Sequence, residues 1–166
     1  NTGEYNTAVG TTAMDTNTSG RVNVAMGYGA MDANTTGSEN VAIGAYALDA
    51  NTTASENTAV GYQALTANTT GNSNCAMGRL SLKSATTANH NTGFGFHTAR
   101  QITTGGNNTA MGSGAMYNTT TAPDNVAIGF NALYTNETGN SNVAIGYKAL
   151  YTASGSSNVA IGYNAL

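Results

Sequence analysis

A glycine that keeps a fixed distance from an asparagine constrains this chain more than any other feature. An Asn-x-(Ala/Gly)-apolar tetrad begins at Asn6, Asn23, Asn40, Asn57, Asn74, Asn91, Asn108, Asn125, Asn142 and Asn158. It is followed each time by a glycine: Gly10, Gly27, Gly44, Gly61, Gly78, Gly95, Gly112, Gly129, Gly146 and Gly162. The spacing is 17 residues, shortened to 16 at the last step. The unit reads Asn-Val/Thr-Ala-Ile/Val/Met-Gly-Tyr-x-Ala-Leu, then a polar stretch built on Asn-Thr-Thr-Gly. Self-similarity at a fixed period marks an array of stacked units. Residues 1–166 are therefore read as one repeat array, a segment of a longer fibre or a filament subunit.

Helical-hairpin repeats are about twice as long as this unit, and an obligatory glycine with Val, Ile and Thr opposes a helix. Asn40-Val41-Ala42-Ile43-Gly44 reads as a short strand with a corner at Gly44. Tyr46-Ala47-Leu48 reads as a second short strand, and Asn51-Thr52-Thr53 as a turn. The expected fold is all-β: a parallel β-solenoid, or β-roll, of about ten 17-residue coils. At about 4.8 Å per coil such a rod is roughly 45–50 Å long. Identical residues then form columns, and the repeated asparagine becomes a ladder of stacked amides.

Alternation puts Val41 and Ile43 on one face of the strand and Ala42 on the other. Two columns are expected to fill the interior. One is Val9, Met26, Ile43, Val60, Met77, Phe94, Met111, Ile128, Ile145 and Ile161; the other is Met14, Met31, Leu48, Leu65, Leu82, Ala99, Met116, Leu133, Leu150 and Leu166. The Ala face is small in every unit, which a solvated face would not be. Ala42, Ala59 and Ala144 are therefore expected at a chain–chain seam. The alternative is that alanine lines a cramped interior while Val and Ile pack elsewhere. An aromatic column follows the corner glycine at Tyr28, Tyr62, Phe96, Phe130, Tyr147 and Tyr163. It suits the seam, where Tyr is enriched, or stacking against sugars.

The chain carries five Lys+Arg against eight Asp+Glu, net −3, unlike a basic nucleic-acid binder. No apolar run approaches the ~18 residues of a membrane span. A single cysteine, Cys75, excludes an intrachain disulfide framework or a Cys-based zinc site, and it reads as a packing residue. No catalytic constellation, metal set or cofactor motif is apparent. His90 and His97 share no carboxylate, and Gly93-Phe94-Gly95-Phe96 is the repeat itself rather than a phosphate loop.

One column is graded: Asp15, Asp32, Asp49, Thr66, Lys83, Arg100, Tyr117, Tyr134 and Tyr151. It reads either as a neutral choice of surface residue or as graded binding, with a cation on the Asp run and an anionic group on a patch of Arg79, Lys83, His97 and Arg100. Threonine columns from Thr18 to Thr120 and from Thr36 to Thr138 invite an ice-binding reading, though adjacent turn threonines point in different directions. Asn34, Asn51, Asn68, Asn118 and Asn136 head glycosylation triplets that the turns would expose.

The Asn-Val-Ala-Ile-Gly tetrads resemble the head repeats of trimeric autotransporter adhesins. The longer unit, Asn57-Thr58-Ala59-Val60-Gly61-Tyr62-Gln63-Ala64-Leu65, is similar to repeats in phage tail-fibre-type proteins. The resemblance covers essentially the whole chain. It implies a β-roll that associates as a homotrimer, located outside the cell, on its surface or on a virion. The implied role is a structural and adhesive fibre segment without catalysis, whose partner is a cell-surface glycan or receptor. The alternatives are an extracellular filament subunit stacking end to end, suggested by open edges that template pairing, and an ice- or carbohydrate-binding solenoid.

Overall fold

The computed structural model describes residues 2–166. Among them are ten three-residue strands: β1 (Thr7–Val9), β2 (Val24–Met26), β3 (Val41–Ile43), β4 (Thr58–Val60), β5 (Cys75–Met77), β6 (Thr92–Phe94), β7 (Thr109–Met111), β8 (Val126–Ile128), β9 (Val143–Ile145) and β10 (Val159–Ile161). They form one parallel sheet in chain order. Each strand pairs with the equivalent residues one unit on, as Val41↔Thr58, Ala42↔Ala59 and Ile43↔Val60 show. The shortened last unit keeps this register, Val143↔Val159. The chain is an all-β parallel solenoid of about nine turns. No helix among the described residues is long and apolar enough to cross a membrane.

Strands end after three residues because the glycine turns the chain where no side chain fits. Gly61 has φ +129°, and a Cβ there would lie 2.7 Å from the carbonyl carbon of Gly78 in the next coil. The expected second strand, Tyr46-Ala47-Leu48, is instead a run of turns. Tyr46 and Leu48 have φ of 57° and 52°, in the left-handed region that a strand cannot use. Hydrogen bonds between coils persist there all the same: Tyr46 N–H donates to the Tyr28 carbonyl at 2.9 Å and Leu48 N–H to the Ala64 carbonyl at 3.0 Å.

The interior is the reverse of the arrangement expected for the strand. Ala42, Ala59 and Ala144 are fully buried within the single chain, so they cannot form a chain–chain seam, whereas Ile43 is 38 % exposed. The Val9-to-Ile161 column therefore does not fill the core. The reason is space. Each coil already closes around the buried turn residues Ala47 and Leu48 and two buried asparagines, Asn40 and Asn51, so the strand contributes only a methyl group. The leucine column lies inside as expected, with Met31, Leu48, Leu65, Leu82, Met116 and Leu133 fully buried. A left-handed conformation costs about 1–2 kcal/mol per residue; burying a leucine returns about 1.5–3 kcal/mol. Packing thus outweighs the backbone cost, narrowly.

Two amide ladders flank this core. In the first, Asn57 Oδ1 accepts from the Asn74 backbone N–H at 2.9 Å and from Asn74 Nδ2 at 3.1 Å. Asn57 Nδ2 donates to the Gly71 carbonyl at 2.9 Å. The second ladder is built from the turn asparagines: Asn51 Nδ2 donates to Asn34 Oδ1 at 2.8 Å and to the Ala54 carbonyl at 3.1 Å. It stops where Ala85 takes the slot, leaving Asn68 Oδ1 buried without a partner. Asn34, Asn51, Asn68 and Asn136 are fully buried. The expectation that these triplets present exposed glycosylation sites is therefore wrong for those four in the folded chain, because their amides are spent inside it; Asn118, one residue outside that column, is half-buried.

Departures from the repeat compensate in volume. Gly93 lacks the alanine methyl group, and Ser81 of the preceding coil fills the room, its hydroxyl donating to the Gly93 carbonyl at 3.0 Å. A Cβ on Gly93 would lie 2.5 Å from that hydroxyl oxygen. Where Ala99 replaces leucine, Ile102 replaces the turn asparagine, and both are buried.

Two predictions test this packing by chemical denaturation. Gly93→Ala alone loses about 1–3 kcal/mol by overcrowding, and Ser81→Ala alone about 1 kcal/mol with its hydrogen bond. The double variant restores the consensus pair and comes back close to the parent, a coupling of more than about 1 kcal/mol; additive losses would refute the compensation. At Leu65, Ala loses about 2–5 kcal/mol of packing. Gly does no worse than Ala there, because it relieves the left-handed backbone, although at an ordinary buried position Gly is about 0.5–1 kcal/mol worse.

Candidate binding surfaces

With alanine turned inward, the first and third residues of every strand face outward. Met26, Ile43, Phe94, Met111 and Ile128 are exposed, and their partners Val24, Val41, Thr58, Cys75, Thr92, Thr109, Val126 and Val143 are half-buried. No residue of this face from Thr7 to Ile161 carries a charge. Cys75 sits in it, and burial pushes its thiol pKa up, so it stays protonated and unreactive.

Beyond the corner glycines runs the aromatic column. The one-coil step matches ring stacking: Phe130, Tyr147 and Tyr163 stack at 5.4 and 5.1 Å between centroids, nearly parallel. The graded column does the same where it becomes aromatic, Tyr117, Tyr134 and Tyr151 stacking at 5.2 Å. Between Tyr28 and Tyr163 three coils lack a ring in the first column, at Ala45, Arg79 and Ser113. The first gap is filled by Tyr46, edge-on to Tyr28 at 5.2 Å and to Tyr62 at 6.3 Å. The second is filled by the Arg79 guanidinium, 5.7 Å from the Tyr62 ring and 5.6 Å from the Phe96 ring. The third, where Gly114 follows Ser113, is a cleft of about 180 Å³ between Phe96 and Phe130, lined also by His97, Tyr117, Asn131 and Tyr134.

The cationic patch reads differently in space. Arg79 is committed to its ring sandwich. Arg100 donates from Nη1 to the Tyr117 hydroxyl at 2.6 Å, its guanidinium carbon 5.4 Å from that ring. His97 stacks on Phe96 at 3.8 Å. Desolvation first, then the charges of Arg100, Arg79 and Lys83, hold its pKa below the ordinary imidazole value, so the imidazole stays neutral. Its Nε2 is buried without a hydrogen-bond partner.

The Asp run does not make a cation site by itself, since no three acidic, His or Cys side chains among the described residues are placed to hold a metal. Desolvation, and then the neighbouring Asp32, push the Asp49 carboxyl above its usual range. In the first threonine column the hydroxyls are occupied along the stack: Thr52 Oγ1 donates to the Thr69 carbonyl and Thr69 Oγ1 to the Thr86 carbonyl, each at 3.1 Å. The second column, which includes Thr53, Thr70 and Thr87, is exposed.

Sequence reasoning identified the aromatic column and the four-residue cationic patch. It missed that the column carries no ring of its own at Ser113, although reading the column coil by coil shows it. No family model matches the chain, nor does any curated protein or solved structure.

Asp49 supplies a pH test. Its folded pKa is raised, so the ionised form destabilises the fold at neutral pH, and stability is recovered as pH falls through the folded value. Asp49→Asn therefore raises the melting temperature near neutral pH, and the gain disappears below the ordinary carboxylate pKa. An equal gain at both pH values would remove the electrostatic cause.

Proposed function

We propose that the chain is a stretch of stiff, non-enzymatic surface fibre, extracellular or on a virion, in which three copies of the rod pack side by side through the outward strand face. The observation that carries this reading is the exposed Met26–Ile43–Met111–Ile128 column beside its half-buried Val and Thr partners. Soluble monomers rarely expose contiguous apolar patches of more than a few hundred Å². This one is uncharged throughout and runs the length of ten strands, roughly 45 Å at the strand spacing. Interface cores are depleted of charge in the same way. Side-by-side packing about an axis along the rod sets each coil against the same coil of its neighbour, so one favourable contact repeats at every step.

The number three comes from the resemblance to trimeric adhesin heads and tail-fibre repeats. Tyr28, Tyr62, Tyr147 and Tyr163 flank the proposed seam across the corner glycines and remain candidates for its margin. Ice binding is the weaker reading. It wants two outward threonine ranks, whereas the first column's hydroxyls donate to backbone carbonyls and only the second is exposed. End-to-end filament assembly predicts a polymer of indefinite mass.

Light scattering at micromolar concentration distinguishes these readings. A discrete three-chain mass is expected. Ile43→Lys with Ile128→Lys reduces it to one chain while the circular dichroism is unchanged. Ala42→Glu instead unfolds the coil, since it forces a charge into the lumen. A monomeric parent, a broad polymer, or a trimer that survives both lysines would overturn the seam.

A further inference from the structure

The eight carboxylates and five cations of this rod are not mixed. Glu4, Asp15, Asp32, Glu39, Asp49 and Glu56 lie in the first coils, and no Asp or Glu follows until Asp124. Arg79, Lys83 and Arg100 fall inside that acid-free stretch. Two of these cations share the graded column with three of the acids. Along one line the rod carries Asp15, Asp32, Asp49, Thr66, Lys83, Arg100 and Tyr117. Successive members are one coil apart, about 4.8 Å. Thr66 is the centre of this line. One coil to either side stand Asp49 and Lys83; two coils to either side stand Asp32 and Arg100. All four are half-buried. The sole ion pair among the described residues, Arg21 Nη1 to Glu4 Oε2 at 3.7 Å, involves none of them.

A charge pattern of opposite sign on the two sides of its centre is complementary to itself reversed. A two-fold axis through Thr66, perpendicular to the rod, lays a second rod antiparallel on the first. Asp49 then faces Lys83 and Asp32 faces Arg100, each pair formed twice, as an isologous contact requires. The same rotation sets Tyr62 and Gln63 opposite themselves, Ala45 opposite Arg79 and Gly29 opposite His97, so no like charges meet in these columns. A parallel neighbour in register would set Asp on Asp and Lys on Lys, and like charges across a contact suppress it. We propose that this column is an antiparallel docking surface for a second copy of the chain, centred on Thr66 and held by the Asp49–Lys83 and Asp32–Arg100 pairs. Arg100 keeps its Nη1 bond to Tyr117 and has further donors to give. Asp49 gains most. Burial and then the adjacent Asp32 hold its carboxyl above the usual range within one chain, and a cation opposite offsets the second cause. The surface is distinct from the outward strand face. Exposed ion pairs are individually weak and screened by salt, so the contact opens at physiological salt and micromolar concentration.

The test places one thiol on the axis. Thr66→Cys is made in the whole chain together with Cys75→Thr, the residue that Thr58, Thr92 and Thr109 supply in that column. Packed faces lie about 10 Å apart, beyond a disulfide's reach, so a short bismaleimide is the probe. Each thiol adds across one of its double bonds, and the joined chains are counted on a denaturing gel. The linked pair is expected at about 0.01 M salt and falls at least fivefold at about 1 M, as the screening length drops from about 30 to about 3 Å. Asp32→Lys with Asp49→Lys gives the four positions one positive sign; Lys83→Asp with Arg100→Asp gives them one negative sign. Each variant loses the link alone, and an equal mixture of the two restores it. Asp49→Asn lowers the low-salt yield at least threefold, whereas Asp15→Asn leaves it unchanged. The proposal is overturned by no link at low salt, by a link that persists at high salt, or by a charge-reversed variant that links to itself. A mixture that does not link, or a loss on Asp15→Asn without one on Asp49→Asn, overturns it as well. The gel counts linked rods whatever the mass of the fibre, so a monomeric parent, which sinks the strand seam, leaves this readout intact.

Discussion

The close approach of backbone to backbone at the corner glycines is the constraint from which the rest of the molecule follows. At Gly61 a single added carbon would sit 2.7 Å from the next coil's carbonyl carbon, so successive coils can stack only in one register. Once that register is set, every side chain lies above its equivalent. The Asn57–Asn74 amide pair, the buried leucines and the stacked Tyr117–Tyr134 rings are all consequences. The glycine excludes other stackings, and the asparagines reward the one that remains. Their oxygens accept the backbone N–H of the next ladder residue, a donor that would otherwise be stranded at the start of a strand.

The period alone made the fold legible, but it was silent about which side of the strand faces in. Alternation divides Val41 and Ile43 from Ala42 without saying which set is inside. The usual rule, bulky inside, fails here because the lumen is bounded by one turn's worth of chain and is already filled by Leu48 and the asparagines Asn40 and Asn51. The leucine column was readable because nothing competes for its place. Its left-handed backbone was not, since Leu48 at φ 52° is a choice no propensity favours. The asparagine of the Asn-Thr-Thr-Gly turn reads as a surface residue by the same local logic that made it a turn signal. Only the stacking of coils, a non-local fact, shows that Asn51 Nδ2 reaches Asn34 rather than water.

Departures from consensus concentrate in the middle of the rod, and there they come in matched pairs. Ser81 fills for Gly93, and Ile102 for Ala99. The first pair spans two coils, and the second lies within one turn, three residues apart. This is the behaviour of a close-packed interior, in which a lost methylene must be recovered by a neighbour. The Arg79 guanidinium between Tyr62 and Phe96 extends the same rule to the outside of the coil. At Ser113 and Gly114, where two reductions in size occur together, the Asn131 side chain occupies the room a Gly114 side chain would take, and the His97 ring stacks on Phe96.

The one-coil step also decides what each column can hold. Aromatic rings gain from it: offset stacks prefer centroid separations within about 4.5–7 Å, and the observed 5.1–5.4 Å lies in that range. Like charges lose by it. Desolvation, and then the Asp32 charge one coil away, raise the Asp49 pKa, and a longer acidic run would accumulate the charge cost at every coil. Arg100 avoids it by turning its charge onto the Tyr117 ring and hydroxyl of the next coil. A column facing solvent on such a rod is therefore driven toward rings, hydroxyls and amides, and the low charge of the whole chain is the sum of that pressure over every column. Three of the five cations, Arg79, Lys83 and Arg100, lie in the middle coils near His97, and two of them turn onto rings, Arg79 between Tyr62 and Phe96 and Arg100 on Tyr117.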